Sequence, residues 1–283
     1  IKEKYPRIIR ILLSGYTEEK PMYRALLHNL AKLYIFKPWN NNDFLLNIKR
    51  LFENEDRMNS KDLTDIIEDL DQIYSCPEGS SHIIDKLKED NIEEVINLIQ
   101  QDPELSECLL QVSQSAIYGV MPNTVRQAAL YIGLPNLKNF IYWACLKNSL
   151  KNSIKSDEAA GSTFDLLYRH SYLTSRIYLF IYEAFLHKQP PEASMFAGMM
   201  HNTGLLIQLN NLQKKDKSGF YSNLDADKLI RLDYEVHQQS HQMVGAHFID
   251  IWDLPFSIYE AALYHHTPLD TNIVHNELVS AVH

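Results

Sequence analysis

Apolar positions take two different textures along the chain. Up to residue 54 they come in short unbroken runs: Ile8-Ile9-Arg10-Ile11-Leu12-Leu13, closed by Ser14-Gly15-Tyr16, and Leu33-Tyr34-Ile35-Phe36, stopped by Lys37-Pro38. Short apolar runs bounded by turn residues read as buried strands, and Pro38, which cannot donate to a central ladder, ends the second one. Residues 18–30 and 41–53 suit helices, the latter with Phe44, Leu45, Ile48, Leu51 and Phe52 at helical spacing. Strand-helix-strand-helix is the order of a parallel α/β unit, in a stretch too short for a doubly wound sheet.

A polar stretch, Asn54 to Asp62, separates this segment from the rest. Beyond it the period is helical almost throughout. Asp102-Pro103, Asn123 and Pro135-Asn136 mark helix starts, with a capping side chain or a proline ahead of apolar positions. The reading is therefore a mainly α chain: a partial α/β segment over 1–54, a linker over 55–62 and an all-helical domain over 63–283. No repeat or low-complexity tract interrupts it.

Composition narrows the possible partners. Hydrophobic residues make up 45% and charged residues 22% of the 283, and only 9 are glycine, which is globular and not loop-rich. The formal net charge of -9 argues against broad binding to nucleic acid or anionic lipid. Cys76, Cys108 and Cys145 form no CxxC pair, which suits a reducing cytoplasm. The most apolar runs, Phe140–Leu146 and Ile177–Leu186, are too short or interrupted for a membrane span. Residue 1 is Ile and the chain ends in a helical pattern, as expected of an excerpt from a longer protein.

Histidines on apolar helix faces are the candidate chemistry. His170 falls in a stripe with Leu166, Leu173, Ile177, Ile181 and Ala184; His201 with Ala193, Phe196, Ala197 and Met200. His241 aligns with Val244, Gly245 and Phe248, and His265 with Ile258, Ala261 and Ala262, with His266 beside it. Four inward imidazoles are either hydrogen-bonded core residues or the ligands of a divalent metal. His187, His237, His247, His275 and His283 lie off the stripes and are expected at the surface. Glu93-Glu94 reads as a solvated helix face, Arg169 as a surface cation or a phosphate contact, and Tyr178-Tyr182 as core.

His201-Asn202-Thr203-Gly204 resembles the His-Asp hallmark of the HD superfamily of metal-dependent phosphohydrolases. The ordered set is more specific. Tyr168-Arg169-His170-Ser171, Ala197 through Gly204, His241 through Ala246, Trp252-Asp253-Leu254-Pro255 and Ala261 through His266 together resemble the HDOD family, the HD-related output domains. Upstream, Asp102 through Leu105, Leu109-Leu110, Ser115 through Gly119 and Ala128 through Leu134 resemble the same family's opening helices. The resemblance covers roughly 62–283. It implies an HD-like helical fold and a metal site at His170, His201, Asn202, His241, His265 and His266, for Fe, Mn, Zn, Ni or Mg.

Residues 1–54 resemble the second half of a response-regulator receiver domain. Leu12 through Thr17 is similar to its fourth strand, with Ser14 as the switch hydroxyl, and Phe36-Lys37-Pro38-Trp39 to the end of its fifth, with Lys37 as the phosphate contact. The resemblance implies a sensor histidine kinase or another signalling protein as partner, and a homodimer of the kind receivers form. Asn202 stands where the HD enzymes carry a charge-neutralising Asp, and Thr267-Pro268-Leu269-Asp270 replaces the Gly-Tyr-Pro motif of relatives that cleave cyclic di-GMP. The expectation is a bacterial two-component regulator whose output domain is catalytically degenerate and signals by contact. The alternatives are a surviving phosphohydrolase, or a nucleotide or small-molecule sensor using the old pocket.

Overall fold

The computed structural model describes residues 4, 8–15, 30–58, 78–89, 91–113, 122–154, 158–191, 194–208 and 241–283. Both short apolar runs are strands. β1 (Ile11–Ser14) lies parallel to β2 (Leu33–Phe36), with Ile11 opposite Leu33 and Ser14 opposite Phe36. The ladder extends through Lys32 N to Arg10 O at 2.8 Å and Lys37 N to Ser14 O at 2.8 Å. The helix expected over 18–30 falls almost wholly outside the described residues.

α1 (Asn41–Met58) starts where Asn40 Oδ1 accepts from the Asn42 N–H at 2.8 Å. It runs through residues 55–58, where the polar composition suggested a linker. The reason is tertiary: the last turns are docked. Leu51 is fully buried, and Asn54, 1% exposed, accepts from the Tyr264 hydroxyl through Oδ1 and from the Tyr259 hydroxyl through its carbonyl at 3.4 Å. Arg50 Nε donates to Thr271 O at 2.7 Å. Lys32 bridges Glu55 and Asp250, the latter at 2.7 Å. Burial pulls the Lys32 pKa down, but the two carboxylates outweigh it and the net shift is upward.

α2 (Glu78–Lys88), α3 (Ile92–Gln101) and α4 (Pro103–Ser113) pack successively and lean on α5 (Val125–Ile154). Asp102 caps α4 as its spacing predicts, Oδ1 accepting from Glu104 N at 3.0 Å and Leu105 N at 3.1 Å. The next cap falls one residue after Asn123, where Thr124 Oγ1 accepts from Gln127 N at 3.2 Å. α5 is broken at Gly133, whose φ of 73° only glycine adopts without strain, just before Pro135.

α6 (Glu158–Ala184), α7 (Ala197–Met200), a helical stretch over 203–208, α8 (His241–Ile251), α9 (Phe256–Tyr264) and α10 (Asn276–Val282) complete the described domain. α8 packs along α9, α7 touches α6 and α9, and α10 closes on α6 and α9. Trp143, Phe140, Phe164, Phe196, Phe248, Tyr178 and Tyr264 fill the interior. The architecture is mainly helical with one small parallel sheet near the N-terminus. Among the described residues no helix is long and apolar enough to cross a membrane.

Candidate functional site

Backbone proximity at three glycines brings the histidine-bearing elements together. A Cβ on Gly198 would stand 2.6 Å from Ser175 Cα, so α7 lies directly on α6. A Cβ on Gly204 would stand 1.8 Å from His241 O, and one on Gly245 3.0 Å from Gly204 N, so the 203–208 helix meets the start of α8 with no side chain between them. The Gly following His201-Asn202-Thr203 is therefore a spacer that sets how near His241 comes.

Five imidazoles meet as a result. His201 Nε2 is 3.3 Å from His170 Nε2, and His241 Nε2 is 3.1 Å from His265 Nε2. Ring centroids lie 5.0 Å apart for His201 and His265, 5.1 Å for His241 and His266, and 4.1 Å for His265 and His266. His241, His265 and His266 each present a ligand atom within 4.8 Å of the others.

Two of the rings are oriented by the backbone. His201 Nδ1–H donates to Gly198 O at 2.7 Å, and His265 Nδ1–H to Ala262 O at 2.9 Å. In each the Nε2 lone pair is left pointing at a neighbouring ring. Without a metal, His170 and His241 must supply the N–H for those contacts. With one, the lone pairs are already aimed, which is how backbone carbonyls commonly fix a ligating tautomer.

Burial holds His170, His201 and His265 toward the neutral form. It pushes the wholly buried His201 down to about 3, against the Gly198 carbonyl and with help from His170, His241 and His266. The same cause holds His265 well below its ordinary value, reinforced by the adjacent histidines, and lowers His170. Neutral imidazole is the form that binds metal.

Asn202 is 5% exposed, and its Oδ1 has no hydrogen-bond partner. A buried, unsatisfied amide oxygen on the residue that follows His201 in the chain is the kind of atom a cation would satisfy. Imidazole nitrogens with one carboxamide oxygen suit zinc, nickel or iron and do not suit magnesium, which takes oxygen ligands. Among the described residues the group able to hold a metal contains no carboxylate. Glu260, wholly buried on α9, is spent elsewhere: it accepts from Val274 N at 2.7 Å, His275 N at 2.9 Å and His275 Nδ1 at 2.6 Å.

The structure gathers His170, His201, His241, His265 and His266 as their spacing suggested, with one correction on α6. Leu166, Leu173 and Ile177, expected to face inward with His170, are 54–57% exposed, and His170 itself is exposed on the cluster's edge. The buried face of α6 carries Phe164, Leu167, Ser171, Ser175, Tyr178 and Tyr182 instead. His275 and His247, expected at the surface, are half-buried, and the exposed His283 donates through Nδ1 to His265 O at 2.6 Å. A lone Glu260 amid Ile258, Tyr259, Ala261 and Ala262 was the signal for the His275 contact. Ser14 and Lys37 are brought together, on adjacent strand ends joined by the Lys37 N–H to Ser14 O bond.

The HDOD domain family matches residues 74–268 of the chain. No curated protein matches it. Among solved structures, a "putative metal-dependent phosphohydrolase" from Shewanella amazonensis SB2B superimposes with a TM-score of 0.55 at 18% identity, over 86% of this chain and 82% of that one. An HDOD domain protein from Geobacter sulfurreducens gives 0.50 at 23% identity, over 77% and 73%. A "putative signal transduction protein" from Marinobacter aquaeolei VT8 gives 0.46 at 16%, over 83% and 54%. At these identities the likeness is one of fold.

Proposed function

From its membership of the HDOD family, we propose that this chain is a bacterial signal-transduction output protein that acts by protein contact, its histidine cluster holding one divalent metal in a structural or regulatory role. The observation that carries this is the donor set: imidazoles, of which His201 and His265 are buried and held neutral, and a carboxamide, with no carboxylate among them. His201, His241, His265 and His266 would hold the ion, with His170 and Asn202 at its edge. A bound ion would supply positive charge and Lewis acidity, and would tie α7, α8 and α9 through one centre. His201 and His265 position their helices, exclude water through burial, and stay deprotonated near neutrality.

On this reading residues 1–54 are the input side. Ser14 and Lys37 are the switch pair of a receiver whose partner is a sensor histidine kinase or another signalling protein. The supporting contact is the docking of α1: Asn54 accepts from Tyr264, the residue before His265, so a shift of α1 reaches the cluster within one residue. A second reading, a metal-dependent phosphohydrolase, is favoured by the aimed lone pairs and lacks the carboxylate that would bridge two metals.

The test is elemental analysis of untagged protein purified without chelator, beside a His241→Ala variant and a phosphodiester turnover assay. Near-stoichiometric zinc, nickel or iron lost in the variant, without turnover, is expected. Hydrolysis abolished by His201→Ala would overturn the non-catalytic reading, and protein free of metal would overturn the metal-holding one.

A further inference from the structure

α6 has a second apolar face that the packing of the described residues leaves open. Leu166, His170, Leu173, Ile177, Phe180 and Ala184 are all exposed, the four large apolar ones by 54–57%. They are spaced alternately by four and three residues, the seam of a two-helix coiled coil and not the broader face a helix presents to a globular core. α5, α7 and α10 contact this helix, and its buried side chains lie on the opposite face. An open apolar stripe that runs from Leu166 to Ala184 is a candidate interaction surface.

We propose that α6 pairs antiparallel with α6 of a second copy of this chain, about a twofold axis beside Arg176. That register sets Leu173 against Ile177 of the second copy, His170 against Phe180 of the second copy, and Leu166 against the small Ala184 of the second copy. Large meets small at the ends and branched aliphatics meet at the centre. Charge complementarity chooses a second copy in this direction. The flanking positions place Arg169 opposite Glu183 of the second copy, twice by symmetry, and both side chains are exposed. A parallel pair would lose both ion pairs and stack His170 on its own copy. Arg176 facing itself at the axis is the one unfavourable contact. Pairing also lays Phe180 of the second copy over His170, at the exposed edge of the histidine cluster.

Sedimentation equilibrium of the full chain tests this. The wild type should be a dimer. Ile177→Glu, at an exposed position where folding is kept and circular dichroism is unchanged, should raise the dimer Kd at least about a hundredfold, because each dimer then holds two charges in an apolar seam. Arg169→Glu or Glu183→Arg alone should weaken it by roughly tenfold, and the two together should restore it, since the swap recreates both pairs. A wild type that stays monomeric overturns the proposal, including one whose stripe is shielded from solvent by residues 209–240 or by another protein. A dimer indifferent to Ile177→Glu, or a double charge swap that fails to rescue, overturns it equally.

Discussion

Replacing Gly204 with alanine puts a methyl carbon where the backbone of α8 already is. The new Cβ would lie 1.8 Å from His241 O, 2.7 Å from its carbonyl carbon and 2.9 Å from Gly245 N. A relaxed carbon–oxygen contact is about 3.3 Å, so the two backbones must part by about 1.5 Å. No flexible side-chain tip is available to yield. Overpacking of this kind costs about 3 kcal/mol, at the upper end of its usual range, and carries His241 away from the ring nitrogens it meets. At about 2–4 °C per kcal/mol, the melting midpoint should fall by roughly 6–12 °C. Gly161→Ala is the matched control: Gly161 lies inside α6 with nothing within 4 Å of its would-be Cβ, so the change should stabilise by about 0.5–1 kcal/mol through helix propensity. Urea unfolding followed by far-ultraviolet circular dichroism measures both. A Gly204→Ala protein within about 0.5 kcal/mol of wild type would refute the claim that this glycine sets the approach of α8.

Glu260→Gln should destabilise by about 3 kcal/mol, because a buried carboxylate serving His275 and two backbone N–H groups is replaced by a group that can serve them only in part; denaturant melts and faster amide exchange across 273–282 would show it. In chelator-treated protein, stability should fall as the pH drops below 6.5: His201 is held near 3 when folded, so the unfolded chain takes up the proton first. The loss from this group is about 2 kcal/mol between pH 6.5 and 5 and stops growing below the folded value, with His265 contributing in the same direction; melts at fixed ionic strength across that window check the sign. Asn202→Asp should tighten divalent-metal binding by tenfold or more, since a carboxylate adds charge where Oδ1 is now unsatisfied; competition against a chelator reads it, and unchanged affinity would place Asn202 outside the metal's shell.

Local features of the structure were legible along the chain because their causes are local. Short apolar runs bounded by turn residues made β1 and β2, Asp102 capped α4 through its own side chain, and Gly133 with Pro135 broke α5 through dihedral limits that no packing can relax. His201, His241 and His265 were legible for the same reason, as members of apolar faces, whereas the stripe that carries His170 turned out to face solvent. The extent of α1 was not, because residues 55–58 are polar by composition and become helical in a helix held by Tyr259, Tyr264 and Thr271, more than 200 positions away. Glu260 stood out in its apolar surroundings, but its partners were hidden likewise, since they are set by the turn ahead of α10.

α6 shows most clearly where sequence ends and tertiary structure begins. Its helical period is unambiguous, but it carries two candidate faces, and periodicity alone cannot say which one the protein covers. The greasier stripe of Leu166, Leu173, Ile177 and Phe180 is outside, and the face bearing Ser171 and Ser175 is inside. Gly198 must come within contact of the Ser175 backbone, and only small side chains permit helices that close. The sequence by itself determined the helices, their breaks and the histidines upon them. The tertiary structure decided which faces turn inward and which nitrogens meet, because close approach depends on residues that packing, and not periodicity, brings opposite one another.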